Sequence, residues 1–162
     1  MSETTRVADQ LHRAFEGHAW HGDSLLKILS GVTAEQAATH PIPNAHSIWE
    51  LVLHIAAWDG AVVRRLAGES GGVSKARNFP VITDTSEGAW HSALDRLQQV
   101  HRELVATVAA FPDSRLNRRV SGKKPAHHTY YYMLHGVVQH ELYHAGQIAL
   151  LKKALESDCQ ED

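Results

Sequence analysis

The sequence lacks most features that would tie the protein to an oxidising compartment, a membrane or a nucleic acid. A single cysteine, Cys159, permits no disulfide within the chain and no paired-cysteine metal or redox motif. No run approaches the roughly 18 consecutive apolar residues of a membrane span, and the first nine residues lack the pattern of a secretory signal. The net charge of −2 excludes a strongly basic nucleic-acid-binding surface. We therefore expect a cytoplasmic location, without a membrane or nucleic-acid partner.

The length and the hydrophobic pattern predict one all-α domain spanning residues 1–162. A chain of 162 residues can bury a single core without disulfides or structural metals. Its apolar residues recur at helical spacing, and no alternating run is long enough for a sheet. We predict a four-helix bundle with one short extra helical turn, at 33–38, between its first two helices. The four long helices are expected at about 5–30, 47–67, 86–111 and 126–155.

Histidine is the residue type present in excess, since the chain contains 13. Two of them, His140 and His144, lie one turn apart on the apolar stripe of the last predicted helix. The stripe consists of Met133, Val137, His140, His144, Ile148 and Leu151. Burying two imidazoles is costly unless each finds a partner. A metal ion would satisfy both ring nitrogens, whereas hydrogen bonds within the core are the simpler alternative.

The pair is embedded in the sequence H-E-L-Y-H, which formally matches the zinc-protease motif through Glu141. That motif needs a further ligand downstream, and no histidine follows His144. A third ligand must therefore come from another helix. His54 is the candidate, because it lies in the apolar run 51–58 of the second long helix. The other ten histidines are expected to be structural or, more simply, solvated: His12, His18, His21, His40, His46, His91, His101, His127, His128 and His135.

Two segments resemble the DinB-like superfamily. One is S-I-W-E-L-V-L-H-I-A-A-W-D over residues 47–59, and the other is H-x-x-x-H-x-G-Q-I over residues 140–148. This superfamily contains metal-dependent hydrolases and low-molecular-weight-thiol transferases that fold as four-helix bundles with a three-histidine metal site. The resemblance implies that His54, His140 and His144 are the metal ligands. It also implies a homodimer, because members of the family are often dimers.

Three neutral imidazoles would leave a coordination position open, as in catalytic rather than structural sites. Imidazole suits Zn, Ni, Fe or Cu, and the implied cofactor is a divalent transition metal (Zn, Ni, Fe or Mn). The open position could hold water or a low-molecular-weight thiol as the nucleophile that attacks a small-molecule substrate. Gln147 and Glu50 are candidates for orienting the ligands. Their simpler interpretations are a core amide and, in the S-x-x-E pattern of Ser47, a helix cap.

The sequence therefore favours a metal-dependent hydrolase or thiol S-transferase. The alternatives are a non-catalytic bundle that binds a metal or a small ligand, and a helical interaction protein whose histidines are structural. A basic loop could attract an anionic substrate or thiol, although such a charge run is usually only solvated. It contains Arg115, Arg118, Arg119, Lys123 and Lys124.

Overall fold

The computed structural model describes residues 1–121 and 128–158, with side chains up to residue 156, and this part of the chain is helical without a strand. Its α-helices are α1 (Glu3–Phe15), α2 (Leu25–Leu29), α3 (Ala34–Ala38), α4 (Ile48–Leu66), α5 (Lys75–Asn78), α6 (Glu87–Ala110) and α7 (Tyr130–Asp158). A single 3₁₀ turn covers Asp113–Arg115. The prediction of an all-α fold is confirmed over this range.

The prediction of one continuous helix over residues 5–30 is wrong. Helix α1 ends at Phe15, and the chain turns before α2 begins at Leu25. The break contains Gly22, whose φ of 128° lies where side-chain-bearing residues are strained. Trp20, counted as part of the apolar side of that helix, is fully exposed within this turn. Two short helices, α2 and α3, therefore connect α1 to α4, rather than one helical turn.

The starts of α3 and α4 follow from local sequence. Thr33 with Gln36, and Ser47 with Glu50, each form a capping box in which side chain and backbone exchange hydrogen bonds. The predicted boundaries of α4 and α6 hold to within one residue at each end. Burial of the apolar face of α4 sets the rotation of this helix, and with it the direction of His54.

The linker after α4 holds a helix that the sequence did not predict, α5, so the segment is more than a surface loop. The last long helix begins at Tyr130. Its predicted start at Ala126 lies outside the described residues, as do Cys159 and the two lysines of the basic loop.

Helix α4 packs against both α6 and α7, and α1 packs against the same two helices. Two groups of buried apolar side chains fill the interior. One surrounds the N-terminal half of α4 and includes Trp49 and Trp90, and the other surrounds its C-terminal end. The packing of α4 on α7 brings residues near position 54 opposite those near position 140. No helix in the described part of the chain is both long and apolar enough to cross a membrane.

Candidate metal centre

Three histidines converge between α4 and α7. His54 comes from α4, and His140 and His144 come from successive turns of α7. Their ligand nitrogens all lie within 4.8 Å of one another, and Nε2 of His54 is 3.0 Å from Nε2 of His140. His54 and His144 are buried, and His140 is half-buried. The structure therefore brings together the three histidines named from the sequence.

Hydrogen bonds fix the tautomers of two of these rings. Nδ1–H of His54 donates to the backbone carbonyl of Asn78 over 3.1 Å. Nδ1–H of His144 donates to Oε1 of Gln147 over 2.6 Å. Because both protons sit on Nδ1, the lone pair of each ring is on Nε2. This is how metal-binding histidines are usually held, with an outer group receiving the second ring N–H.

The environment keeps all three rings neutral. Burial, together with repulsion from His144 and His54, lowers the pKa of His140 to about 4. Burial also lowers the pKa of His54 and of His144. A neutral imidazole offers a lone pair to a cation, so the set suits a divalent transition metal. His140 Nδ1 is buried without a hydrogen-bond partner among the described residues, so the polar contact of this ring is the one that its Nε2 makes with Nε2 of His54.

Aromatic side chains surround the three histidines. Phe79 stacks on His54 with ring centroids 4.4 Å apart. Trp58 lies 5.9 Å from the His140 ring, and its indole N–H donates to the side chain of Asn78 over 2.8 Å. Asn78 thus links the His54 ring to the Trp58 ring. It was not identified from the sequence, because nothing in the polar segment around α5 indicates a role at a site.

A cavity of about 160 Å³ opens beside His140 between α4 and α7. Its lining is mostly apolar and consists of Trp58, Val62, Arg65, His128, Tyr132, Met133, Gly136, Val137 and His140. A larger hollow of about 430 Å³ lies between α1 and α7, but its lining contains none of the three clustered histidines. The smaller cavity is therefore the one placed to present a small molecule to the cluster.

The two residues proposed to orient the ligands have different surroundings. Gln147 contacts His144, as described above. The Glu50 carboxylate accepts the backbone N–H of Ser47 over 2.9 Å and lies against His40 and His46. The structure thus places Glu50 at the cap of α4, while the outer nitrogen of His54 bonds to Asn78 instead.

A second polar cluster lies in the core and was not foreseen. It consists of Asp59 from α4, His101 from α6 and Glu141 from α7, whose ligand atoms also lie within 4.8 Å of one another. His101, expected to be structural or, more simply, solvated, is only 1% exposed and stacks on Phe15 with centroids 3.7 Å apart. The sequence did not distinguish the two alternatives, because one polar residue on a core-facing position of a helix carries no periodic signal.

Opposing effects set the charges in this second cluster. Burial alone would lower the pKa of His101, but the nearby Asp59 carboxylate and the hydrogen-bonded Glu141 raise it to about 9. Burial and the charge of Asp59 raise the pKa of Glu141 to about 8. Nδ1 of His101 is 2.9 Å from a Glu141 oxygen. Because Glu141 faces this cluster, it is not poised beside the three histidines as the base of a zinc protease would be.

The basic loop shows no comparable organisation in the part that the structure describes. Arg115 lies over the rings of Phe111 and Tyr130, at 4.7 and 5.4 Å from their centroids. Arg118 and Arg119 are exposed. That the loop attracts an anionic substrate stays a prediction.

The fold and the site together define an all-helical protein with three convergent imidazoles, one from a central helix and two from the last helix. The sequence model of the DinB superfamily matches residues 18–148. The chain therefore belongs to the DinB superfamily, and the resemblance seen in the sequence is confirmed. No curated protein and no solved structure matches the chain significantly.

Proposed function

We propose that the protein is a metal-dependent enzyme in which His54, His140 and His144 hold a divalent transition metal. The substrate is a small electrophile, and the reaction is its hydrolysis or the transfer of a thiol to it. In this proposal α1, α4, α6 and α7 form a four-helix bundle that carries the site. A homodimer and a cytoplasmic location stay predictions.

The observation that carries the proposal is the convergence of three neutral imidazoles whose outer nitrogens are already engaged. Two Nε2 atoms 3.0 Å apart match the spacing of neighbouring ligands around an ion with bonds of about 2.0–2.1 Å. Members of the DinB superfamily often bind metals. A bound divalent ion would supply Lewis acidity, activating water or a thiol at neutral pH.

The chain's own residues would perform the remaining tasks. Asn78 and Gln147 hold the rings of His54 and His144 in the orientation that aims Nε2 at the site. Phe79 and Trp58 restrict water around the ligands, which strengthens electrostatic interactions there. The cavity beside His140 is small and mostly apolar, and it therefore favours a compact substrate with little charge on the part that enters.

Metal analysis of the full-length, untagged protein tests the ligand set. We expect the wild type to retain metal after purification without chelator, and His54→Ala and His144→Ala to retain one equivalent less per chain. His91→Ala is the matched control, because His91 is an exposed histidine on α6. Equal metal content in all four proteins would refute the site.

Turnover then separates an enzyme from a binding module. The metal-loaded protein is incubated with esters and small electrophiles, alone and with glutathione, mycothiol or bacillithiol. We expect turnover that disappears after chelation and in His144→Ala. Stoichiometric metal without metal-dependent turnover of any compound would instead indicate a non-catalytic metal- or ligand-binding protein.

A further inference from the structure

We propose that Asp59, His101 and Glu141 form a second, fully enclosed site for a divalent transition metal ion, separate from the three-histidine site. The residues come from α4, α6 and α7, so an ion here would connect three helices. This inference does not rest on the proposed function, because it concerns different ligands and requires no turnover.

The first argument is the number of buried polar atoms that lack a partner. Both carboxylate oxygens of Asp59 and one oxygen of Glu141 are buried without a hydrogen bond among the described residues. Asp59 is 0% exposed and Glu141 is 1% exposed, so water does not reach these oxygens from the surface. Unsatisfied buried polar groups are rare in folded proteins, and a bound ion is one of the accepted reasons for them.

The second argument is spacing. Around an ion with ligand bonds of about 2.0–2.2 Å, neighbouring donor atoms lie roughly 2.9–3.5 Å apart. Nδ1 of His101 is 2.9 Å from Oε1 of Glu141 and 3.8 Å from Oδ2 of Asp59. The longer distance exceeds that of a hydrogen bond but needs only a few tenths of an ångström to become a ligand spacing.

The third argument is charge. Binding of a divalent ion would displace the protons that the metal-free cluster holds. It would leave two ionised carboxylates and one neutral imidazole, whose charge of −2 the ion cancels in a region of low dielectric constant. Protons could offset part of this charge, and they are the competing explanation. A proton can bridge only two atoms, however, whereas ligand atoms from three residues lie within 4.8 Å of one another here. An ion can bind several of them at once if a carboxylate is bidentate.

The donor set also indicates the class of ion. Carboxylates suit Mn²⁺, and imidazole suits Zn²⁺ and Fe²⁺, whereas Mg²⁺ retains several of its waters. The three residues are at most 1% exposed, which disfavours an ion that keeps its waters, so we assign the site to Zn²⁺ or Mn²⁺ rather than to Mg²⁺. The same enclosure implies that the ion enters during folding.

The experiment uses a full-length background in which His54→Ala and His144→Ala remove the first site. This double variant is unfolded in denaturant with chelator, refolded with Zn²⁺ or Mn²⁺ and desalted, and metal per chain is measured. We expect one equivalent per chain. We also expect Tm to rise by roughly 5–10 °C when the free metal exceeds Kd about 100-fold.

Adding Glu141→Gln or Asp59→Asn to the double variant should abolish both the bound equivalent and the rise in Tm. Both changes keep the side-chain shape, and using two guards against one of them failing to fold, which circular dichroism would detect. Glu103→Gln is the matched control, because Glu103 is an exposed carboxylate on α6. If the double variant binds no metal at millimolar concentration, protons satisfy the cluster and the proposal is overturned. Retention of the equivalent in both core variants would overturn it equally.

Discussion

The two polar clusters share two helices but differ in charge and in access. Helix α4 contributes His54 to one and Asp59 to the other, and α7 contributes the neighbouring residues His140 and Glu141. The histidine cluster is made of groups whose pKa values fall on burial, and it adjoins a cavity. The core cluster contains two carboxylates and is completely enclosed.

This difference shows how the geometry of a helix directs neighbouring residues of the sequence into two sites with different chemistry. Adjacent residues on a helix point about 100° apart, so His140 faces α4 and the cavity while Glu141 faces α6 and the core. Neutral imidazoles can remain buried without a cation at moderate cost, whereas paired carboxylates cannot. We therefore expect the core cluster to dominate stability and the histidine cluster to dominate ligand binding.

The largest loss of stability should follow from His101→Ala in the metal-free protein. It removes the base that faces both carboxylates, and breaking a buried charged network of this kind costs about 3–5 kcal/mol. His144→Ala should cost clearly less, because it removes a neutral ring with no charged partner. Urea unfolding measured by circular dichroism gives both values.

His101→Phe tests whether the loss of stability in His101→Ala comes from lost charge interactions or from lost packing. It preserves an aromatic ring against Phe15, with which His101 stacks, but removes the nitrogen that faces Glu141. We expect a loss of stability close to that of His101→Ala. If the phenylalanine variant is as stable as wild type, packing explains the effect and the charge argument is wrong.

In the histidine cluster, Gln147→Ala should have a smaller effect, and this effect is on metal affinity. The change leaves the three ligands in place but removes the group that accepts the His144 Nδ1 proton. Loss of such a partner typically lowers metal affinity 10- to 100-fold. Competition with a chromogenic chelator measures the affinity, and stability should change little.

Gln139→Ala is the control for this measurement, because Gln139 is exposed on the same helix. Its affinity should equal that of the wild type. If Gln147→Ala binds metal as tightly as Gln139→Ala does, the hydrogen bond is incidental and does not orient a ligand.

The sequence predicted the histidine cluster from periodic, local signals together with the resemblance of two segments to the DinB-like superfamily. His140 and His144 interrupt an apolar stripe at i, i+4, and the capping box at Ser47 marks the helix that carries His54. The bounds of α4 and α6, each of which begins at a serine cap, were predicted to within one residue. Each of these features depends on residues within one or two turns of one another.

Two of the features that sequence analysis missed depend on contacts between distant segments. The core cluster joins positions 59, 101 and 141, and each is a single polar residue whose partners are set only by the packing of three helices. Asn78 reaches His54 from a linker helix of four residues. The break after Phe15 coincides with an interruption of the apolar stripe around Gly17, which we did not take as the end of a helix.

The smallest predicted effect is on how the free energy of unfolding changes with pH. The sign of this pH dependence distinguishes the histidine cluster from the core cluster. The pKa of His140 is about 4 in the folded protein, below its ordinary value of 6.5. The unfolded state therefore binds a proton first as the pH falls. Stability from this residue is fully present above pH 6.5 and is lost as the pH falls towards 4. With a discount for its partial exposure, the loss is about 1–2 kcal/mol.

The measurement is the free energy of unfolding of metal-free protein between pH 7 and 4, compared with that of His140→Ala. The variant should show a shallower fall by the stated amount. His101→Phe should retain the wild-type contribution of His140, because the core cluster does not include that ring. Parallel curves for wild type and His140→Ala would mean that the histidine cluster is more solvated than its geometry indicates. The contrast between a neutral, open site and a charged, enclosed one would then rest on the core cluster alone.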